Sequence, residues 1–123
     1  MDDRIIVIDD DPDYLDILRR RLARAGYRDV TPEADPCQAA ERFAGGERFH
    51  LAIIDVNMPD MDGIEATRRI KADWPQVRVI ALSMVDDDQV SRTMREAGAE
   101  AFVSKTASST ELLKTIYGIC RGN

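Results

Sequence analysis

Cysteine and histidine are scarce in this 123-residue chain, and basic residues are outnumbered by acidic ones. The two cysteines, Cys37 and Cys120, lie far apart and match no metal-ligand spacing, so they are expected as reduced, partly buried thiols of a cytoplasmic protein. The lone histidine, His50, stands between Phe49 and Leu51 and is expected in a loop or at a strand start. No apolar run approaches the roughly 18–20 residues that a membrane span needs. Met1-Asp2-Asp3-Arg4 leads directly into a strand-like run, so no cleavable signal peptide is expected. Seventeen Lys and Arg face 23 Asp and Glu, giving a net charge of −6. Such a segment is repelled by phosphate backbones and is not expected to bind nucleic acid itself. An attached DNA-binding domain is not excluded by that charge.

What is present is an ordinary globular balance, 44% hydrophobic and 33% charged. It suits one domain over residues 1–123, with an ordered core of about 4–120. Short β-branched runs alternate with longer amphipathic stretches. Arg4-Ile5-Ile6-Val7-Ile8 is a strand expected to be buried on both faces, and it runs into three aspartates. A helix follows with Asp10 or Asp11 as cap and Pro12 in its first turn; Leu15, Leu18, Leu22 and Ala25 face inward and Gly26 stops it. A weaker strand spans about Arg28–Glu33, interrupted by Pro32, and a helix runs from about Pro36 to Ala44.

Leu51-Ala52-Ile53-Ile54 forms a buried strand ending on Asp55. Beyond the turn-rich Met58–Gly63, a helix turns Ile64, Thr67, Ile70 and Trp74 to one face, with Trp74 as a partly buried helix-end anchor. Val77–Leu82 makes a fourth strand, ending on Ser83. Asp86-Asp87-Asp88 caps a helix with Val90, Met94 and Ala97 inward, stopped by Gly98. Ala101–Ser104 ends on Lys105, and Ser108 or Ser109 caps a last helix whose Leu112, Leu113, Ile116 and Cys120 face the core.

Five strand–helix repeats require a parallel sheet covered by helices on both faces. Ligands of such open sheets bind beyond the carboxyl ends of the strands. The polar residues at those ends are Asp9 and Asp10, Asp55, Ser83 and Lys105, and they are expected to converge on one edge. Gathered carboxylates repel unless a cation joins them, and an all-oxygen set selects a hard ion: Mg²⁺ first, with Mn²⁺ able to substitute. A carboxylate beside that cation can attack phosphorus, while Lys105 offsets charge on the transferring group and Ser83 donates a hydrogen bond to it.

The chain resembles the receiver domain of two-component response regulators over nearly its whole length. The resemblance is carried by Ile5–Pro12 with its Asp9-Asp10-Asp11, by Asp55-Val56-Asn57-Met58-Pro59-Asp60-Met61-Asp62-Gly63, by Ala81-Leu82-Ser83, and by Gly98–Lys105. It implies an α/β, flavodoxin-like (CheY-like) fold: a doubly wound five-stranded parallel sheet in the order 2-1-3-4-5, with five helices. It also implies that Asp9, Asp10, Asp55 and the Asn57 backbone carbonyl hold Mg²⁺. Asp55 would take a phosphoryl group from a sensor histidine kinase or phosphotransfer protein. Ser83 and Lys105 would contact that group, and Phe102 would stand at the aromatic switch position.

Ser83-Met84 and Ser104-Lys105-Thr106, followed by Ser-Ser-Thr-Glu-Leu-Leu, resemble the LuxR/NarL-type branch. The implied output is transcription through a helix-turn-helix domain beyond Asn123, with a homodimer through helix 4, strand 5 and helix 5 or another face. Thr106 stands where most receivers have proline, and a cis bond to it would cost about 2.5–4 kcal/mol. The Lys105–Thr106 bond is therefore expected to be trans, with a locally different loop. Bulky Met84 and apolar Val85 are expected to hinder and leave unoriented an attacking water, giving slow autodephosphorylation. Phe102 lacks the hydroxyl that a tyrosine relay needs. Two other readings are a stand-alone receiver acting as a phosphorelay shuttle or interaction switch, and an aspartate-nucleophile phosphatase. The phosphatase arrangement places its nucleophile on the first strand in an Asp-x-Asp pair and needs a cap, for which this chain lacks length.

Overall fold

A computed structural model describes residues 3–57, 63–84 and 87–121. Residues 58–62, together with Val85 and Asp86, lie outside the described residues. Five strands alternate with five helices: β1 Arg4–Ile8, α1 Pro12–Arg24, β2 Asp29–Glu33, α2 Pro36–Ala44, β3 Leu51–Asp55, α3 Gly63–Asp73, β4 Arg78–Ser83, α4 Asp88–Ala97, β5 Ala101–Ser104 and α5 Ser109–Arg121. All pairings are parallel, and the sheet order is β2-β1-β3-β4-β5, as expected.

The central strands are apolar on both faces because both faces are covered. Ile6, Ile8, Ala52 and Ile54 pack on one side with Phe43, Ile70 and Met94. Ile5, Val7, Leu51 and Ile53 pack on the other with Leu18, Leu22, Leu112 and Ile116. Alternation along each strand thus feeds two separate cores, which is why these runs read as continuously hydrophobic. Pro32 is tolerated because β2 is an edge strand with a single neighbour, where a missing N–H leaves no ladder bond unmade.

Helix starts follow their side chains. Asp11 caps α1, accepting from the Asp13 and Tyr14 backbone N–H groups, with Pro12 in the first turn. Asp87 caps α4 in the same way, accepting from Gln89 and Val90. Ser108 accepts from the Glu111 N–H at the start of α5. Gly98 ends α4 in the left-handed conformation at φ 116°, and a side chain there would also strike the Lys71 stem.

Several inward faces differ from the sequence expectation. On α3 the fully buried positions are Gly63, Ala66, Thr67 and Ile70, while Ile64 is half-buried. On α4 only Met94 is fully buried. Leu113 and Cys120 on α5 are half-buried, since that helix covers the narrow end of the sheet beside the short β5. Cys37 is exposed rather than partly buried: it sits in the first turn of α2, where Asp35 accepts its N–H. His50 precedes β3, and its Nδ1 accepts from the Arg4 N–H at 2.8 Å, tying the entries of β1 and β3 together. Trp74 packs on Phe43 with ring centroids 4.9 Å apart, a helix-end anchor as expected. Among the described residues, no helix is long and apolar enough to cross a membrane.

Candidate functional site

β1, β3, β4 and β5 end at the same edge of the sheet; β1 delivers Asp9 and Asp10 there, and the other three deliver Asp55, Ser83 and Lys105. Register makes the convergence unavoidable: Ile8 pairs with Ile54, Asp55 with Leu82, and Ser83 with Ser104. The residues immediately beyond, Asp9 and Lys105, therefore flank Asp55 from both sides. Asp9 and Ser83 are almost entirely buried, and Asp55 is 4% exposed. Asp10 is exposed at the rim.

Local bonds hold these groups in place. Asp9 Oδ1 accepts from the Asp11 N–H at 2.9 Å, and Asp55 Oδ1 accepts from the Asn57 N–H at 3.3 Å. The Lys105 N–H donates to the Ser83 carbonyl at 2.7 Å, carrying the β4–β5 ladder one residue further and fixing the root of the lysine. Its Nζ lies 2.5 Å from Asp9 Oδ2 and 3.4 Å from Asp55 Oδ1, with the side chain 9% exposed. The same ammonium stands over the Tyr14 ring, 4.6 Å from its centroid.

Carboxylate oxygens of Asp9, Asp10 and Asp55 all lie within 4.8 Å of one another. At an effective dielectric of about 20, a pair of like charges at such a separation costs roughly 3 kcal/mol. One ammonium does not balance three carboxylates. Burial raises the Asp55 carboxyl above its usual range, and the Asp9 charge raises it further; Lys105 and the Asn57 N–H work against both. For Lys105, burial pulls the ammonium down, but contact with Asp9 and then Asp55 outweighs it and holds the group above its usual value. Asp9 Oδ2 is buried, with the ammonium beside it but no aligned hydrogen bond. A compact, all-oxygen, over-negative cluster with such an atom fits a hard divalent cation.

The approach of α3 completes the edge. The Gly63 N–H donates to the Val56 carbonyl at 2.8 Å, so the helix begins directly against the end of β3. A Cβ at Gly63 would collide with the Asp55 carbonyl oxygen and lie 2.8 Å from Val56 Cα. Only glycine fits without displacing the strand end that carries Asp55.

The sequence-derived positions separate as follows. Asp9, Asp10, Asp55, Ser83 and Lys105 all stand at the carboxyl ends of their strands; the three aspartates cluster, and Lys105 pairs with Asp9 and Asp55. Asn57 directs its N–H toward Asp55. Phe102 is half-buried on β5, against the cluster that contains Met94. Met84 is 61% exposed, so most of its bulk meets solvent. Val85, its expected companion, lies outside the described residues. The described residues contain no cis peptide bond, so Lys105–Thr106 is trans as expected. The loop without proline is closed by Ser104, whose Oγ lies 2.7 Å from Thr106 Oγ1 and accepts the Thr106 N–H. The sequence pattern did not point to Tyr14, and it included Gly63 only as the end of the Asp55–Gly63 motif, without its close approach to Asp55. Tyr14 lies one turn before the inward-facing Leu18, a spacing that could have placed it beside the aspartates.

Five parallel strands in this order, with an acidic cluster and a lysine at their carboxyl edge, define a receiver-type α/β domain. The family model for the response regulator receiver domain matches residues 5–117, and the chain belongs to that family. It is 27% identical over 119 residues to the response regulator GacA of Pseudomonas viridiflava, covering 97% of this chain and 56% of that protein. It is 38% identical over 73 residues to VraR of Staphylococcus aureus, covering 58% of this chain and 34% of that one. The chain thus spans about half the length, or less, of the curated relatives it matches. The BeF3-activated DrrB receiver domain superposes with a TM-score of 0.84 at 30% identity, covering 98% of both chains. A CheY-like receiver protein from Methanospirillum hungatei gives 0.86 at 29%, covering 94% of this chain and 90% of that one.

Proposed function

We propose that this chain is a single phosphoryl-accepting switch, with Asp55 as acceptor. The observation that carries the proposal is the Lys105 ammonium lying between buried Asp9 and Asp55, within a three-carboxylate cluster. Family membership supports a signalling role in a two-component system, with a histidine kinase or phosphotransfer protein as donor.

An Asp55 carboxylate oxygen attacks the phosphorus of a phosphohistidine. The new O–P bond forms as the P–N bond breaks, and the electron pair leaves on the imidazole nitrogen. Lys105 offsets charge on the phosphoryl oxygens, and the Ser83 hydroxyl donates to one of them. Asp9, Asp10, Asp55 and the Asn57 carbonyl are the groups that would hold Mg²⁺, or Mn²⁺ in its place. When bound, the ion supplies the positive charge that lets a phosphoryl group approach three carboxylates.

Movement of Ser83 toward the phosphoryl group, with Phe102 turning inward, is the proposed route from chemistry to the α4–β5–α5 face. Phosphorylation at Asp55 shifts a pre-existing equilibrium at that face toward a homodimer or a docked partner. The relatives include transcriptional regulators, which supports a transcriptional output through an attached domain in the cytoplasm. Acyl-phosphate hydrolysis is expected to be slow, taking many minutes or longer, because Val85 offers no polar group to orient water. The high exposure of Met84 leaves hindrance by that side chain to act at the rim.

The test is incubation with acetyl phosphate and Mg²⁺, followed by intact-mass measurement and borohydride trapping. One stable phosphoryl group at Asp55, lost in Asp55→Asn and on chelation, is expected. Labelling that persists in Asp55→Asn, or steady multiple turnover of a phosphate ester, would refute the assignment; the second result would favour a phosphatase.

A further inference from the structure

We propose that Tyr14 is a positioning residue for phosphoryl transfer: its ring face holds the Lys105 ammonium against Asp55. This rests on Asp55 being the acceptor, and it adds a residue outside the five strand-end groups.

A lysine side chain has four rotatable carbons, and its ammonium can occupy many positions. Three contacts restrict it here. Two are the carboxylates of Asp9 at 2.5 Å and Asp55 at 3.4 Å. The third is the Tyr14 ring, with Nζ 4.6 Å from the centroid, inside the range in which the ring quadrupole attracts a cation. The two kinds of contact respond differently to the proposed chemistry. With a divalent cation held by Asp9 and with Asp55 converted to an acyl phosphate, both carboxylates would hold the ammonium less strongly. The ring takes no part in either change, and its attraction to Lys105 persists.

Tyr14 is itself held firmly. Its N–H donates to the Asp11 cap at 3.4 Å, and the Asp11 N–H donates to Asp9 Oδ1 at 2.9 Å. Tyr14 is half-buried and packs against the core cluster that contains Leu15, Leu18 and Leu22. The acidic loop that sets Asp9 therefore sets the ring as well, and the metal-side carboxylate and the lysine rest are built as one unit. Burial raises the Tyr14 phenol above its ordinary range, so the ring stays neutral beside the ammonium.

The test compares the wild type, Tyr14→Leu and Tyr14→Phe by two measurements. The first is the proton NMR shift of the Lys105 ε-methylene group, which an aromatic face moves upfield with or without metal or phosphate. The second is the rate of phosphoryl uptake from acetyl phosphate. An upfield shift is expected in the wild type and in Tyr14→Phe, and none in Tyr14→Leu. Uptake should fall about three- to thirtyfold in Tyr14→Leu and be restored to within about twofold by Tyr14→Phe. Unshifted Lys105 methylene protons in the wild type overturn the proposal, and that spectrum needs no variant to fold. So does a Tyr14→Leu protein that is labelled at the wild-type rate. Equal loss in Tyr14→Phe also overturns it, since the hydroxyl would then carry the effect. A wild type with shifted methylene protons that accepts no phosphoryl group instead refutes Asp55 as acceptor.

Discussion

Burial acts on two very different kinds of group in this protein. At Asp55 it is tolerated because a lysine, and by proposal a metal, shares the cost. At Cys120 no such partner is needed, since a thiol can simply stay neutral. Its pKa is pushed up to about 11, by burial first and then by the nearby Asp3 carboxylate, with Arg121 and Arg78 opposing. Cys37 is exposed at the start of α2. The thiolate is the reactive form, so the two cysteines should separate cleanly. With iodoacetamide at pH 8, Cys37 should be alkylated first and Cys120 at least about tenfold more slowly. The Cys120 rate should then climb with pH until about 11. The same shift has a sign for stability. The folded thiol keeps a proton that the unfolded chain releases above pH 9, so this contribution is present below pH 9 and lost as pH rises toward 11. Peptide mapping of the alkylated protein checks the order, and equal labelling of both sites at pH 8 would count against the raised pKa of the half-buried Cys120.

At the scale of elements, one cross-link joins three segments on the far side of the sheet from the acidic cluster. Lys71 on α3 donates to the carbonyls of Pro75 and Val77 and to Glu100, while Glu100 accepts the Val79 N–H on β4 at 2.7 Å. The Lys71–Glu100 pair is mostly shielded, with side chains 18% and 28% exposed. Glu100→Ala leaves the first N–H of the β4–β5 junction without its acceptor and Lys71 without its counter-charge. A loss of about 1–3 kcal/mol is expected in urea unfolding, part of it recovered by Glu100→Gln. This link was invisible in the sequence, as were the stacking of Tyr14 and the approach of Gly63. Each depends on where a side chain or helix lands against an element distant in the chain. The strand-end groups were legible for the opposite reason. A parallel sheet with short, buried strands delivers every residue after the last apolar one to the same edge, so Asp9, Asp55, Ser83 and Lys105 could be placed by counting. Helix faces were legible only in part, because on α3 a shift of one residue decides between Ile64 and Gly63.

Over the whole molecule the net charge is −6, and three of its carboxylates, Asp9, Asp10 and Asp55, gather at one edge of the sheet, where they cost the fold and favour a cation. Two of the three clustered carboxylates are buried, and a protein selected for stability alone would not keep them. A divalent ion that binds only the folded chain adds RT ln(1 + [L]/Kd) to stability, about 1.4 kcal/mol at tenfold over Kd. For a domain of this size that is a rise in Tm of roughly 3–6 °C. Chelation should reverse it, while equal ionic strength from a monovalent salt should not reproduce it. Asp10 gives the discriminating variant, because it is the exposed member of the cluster and contributes little to packing. Asp10→Asn should leave the melt in chelator close to wild type and remove most of the Mg²⁺ increment. If Mg²⁺ raises the wild type and Asp10→Asn equally, the ion is acting on general surface charge and not at this edge. If the increment vanishes in the variant alone, the three-carboxylate cluster is the site, and stability given up in the empty fold is returned when the cation binds.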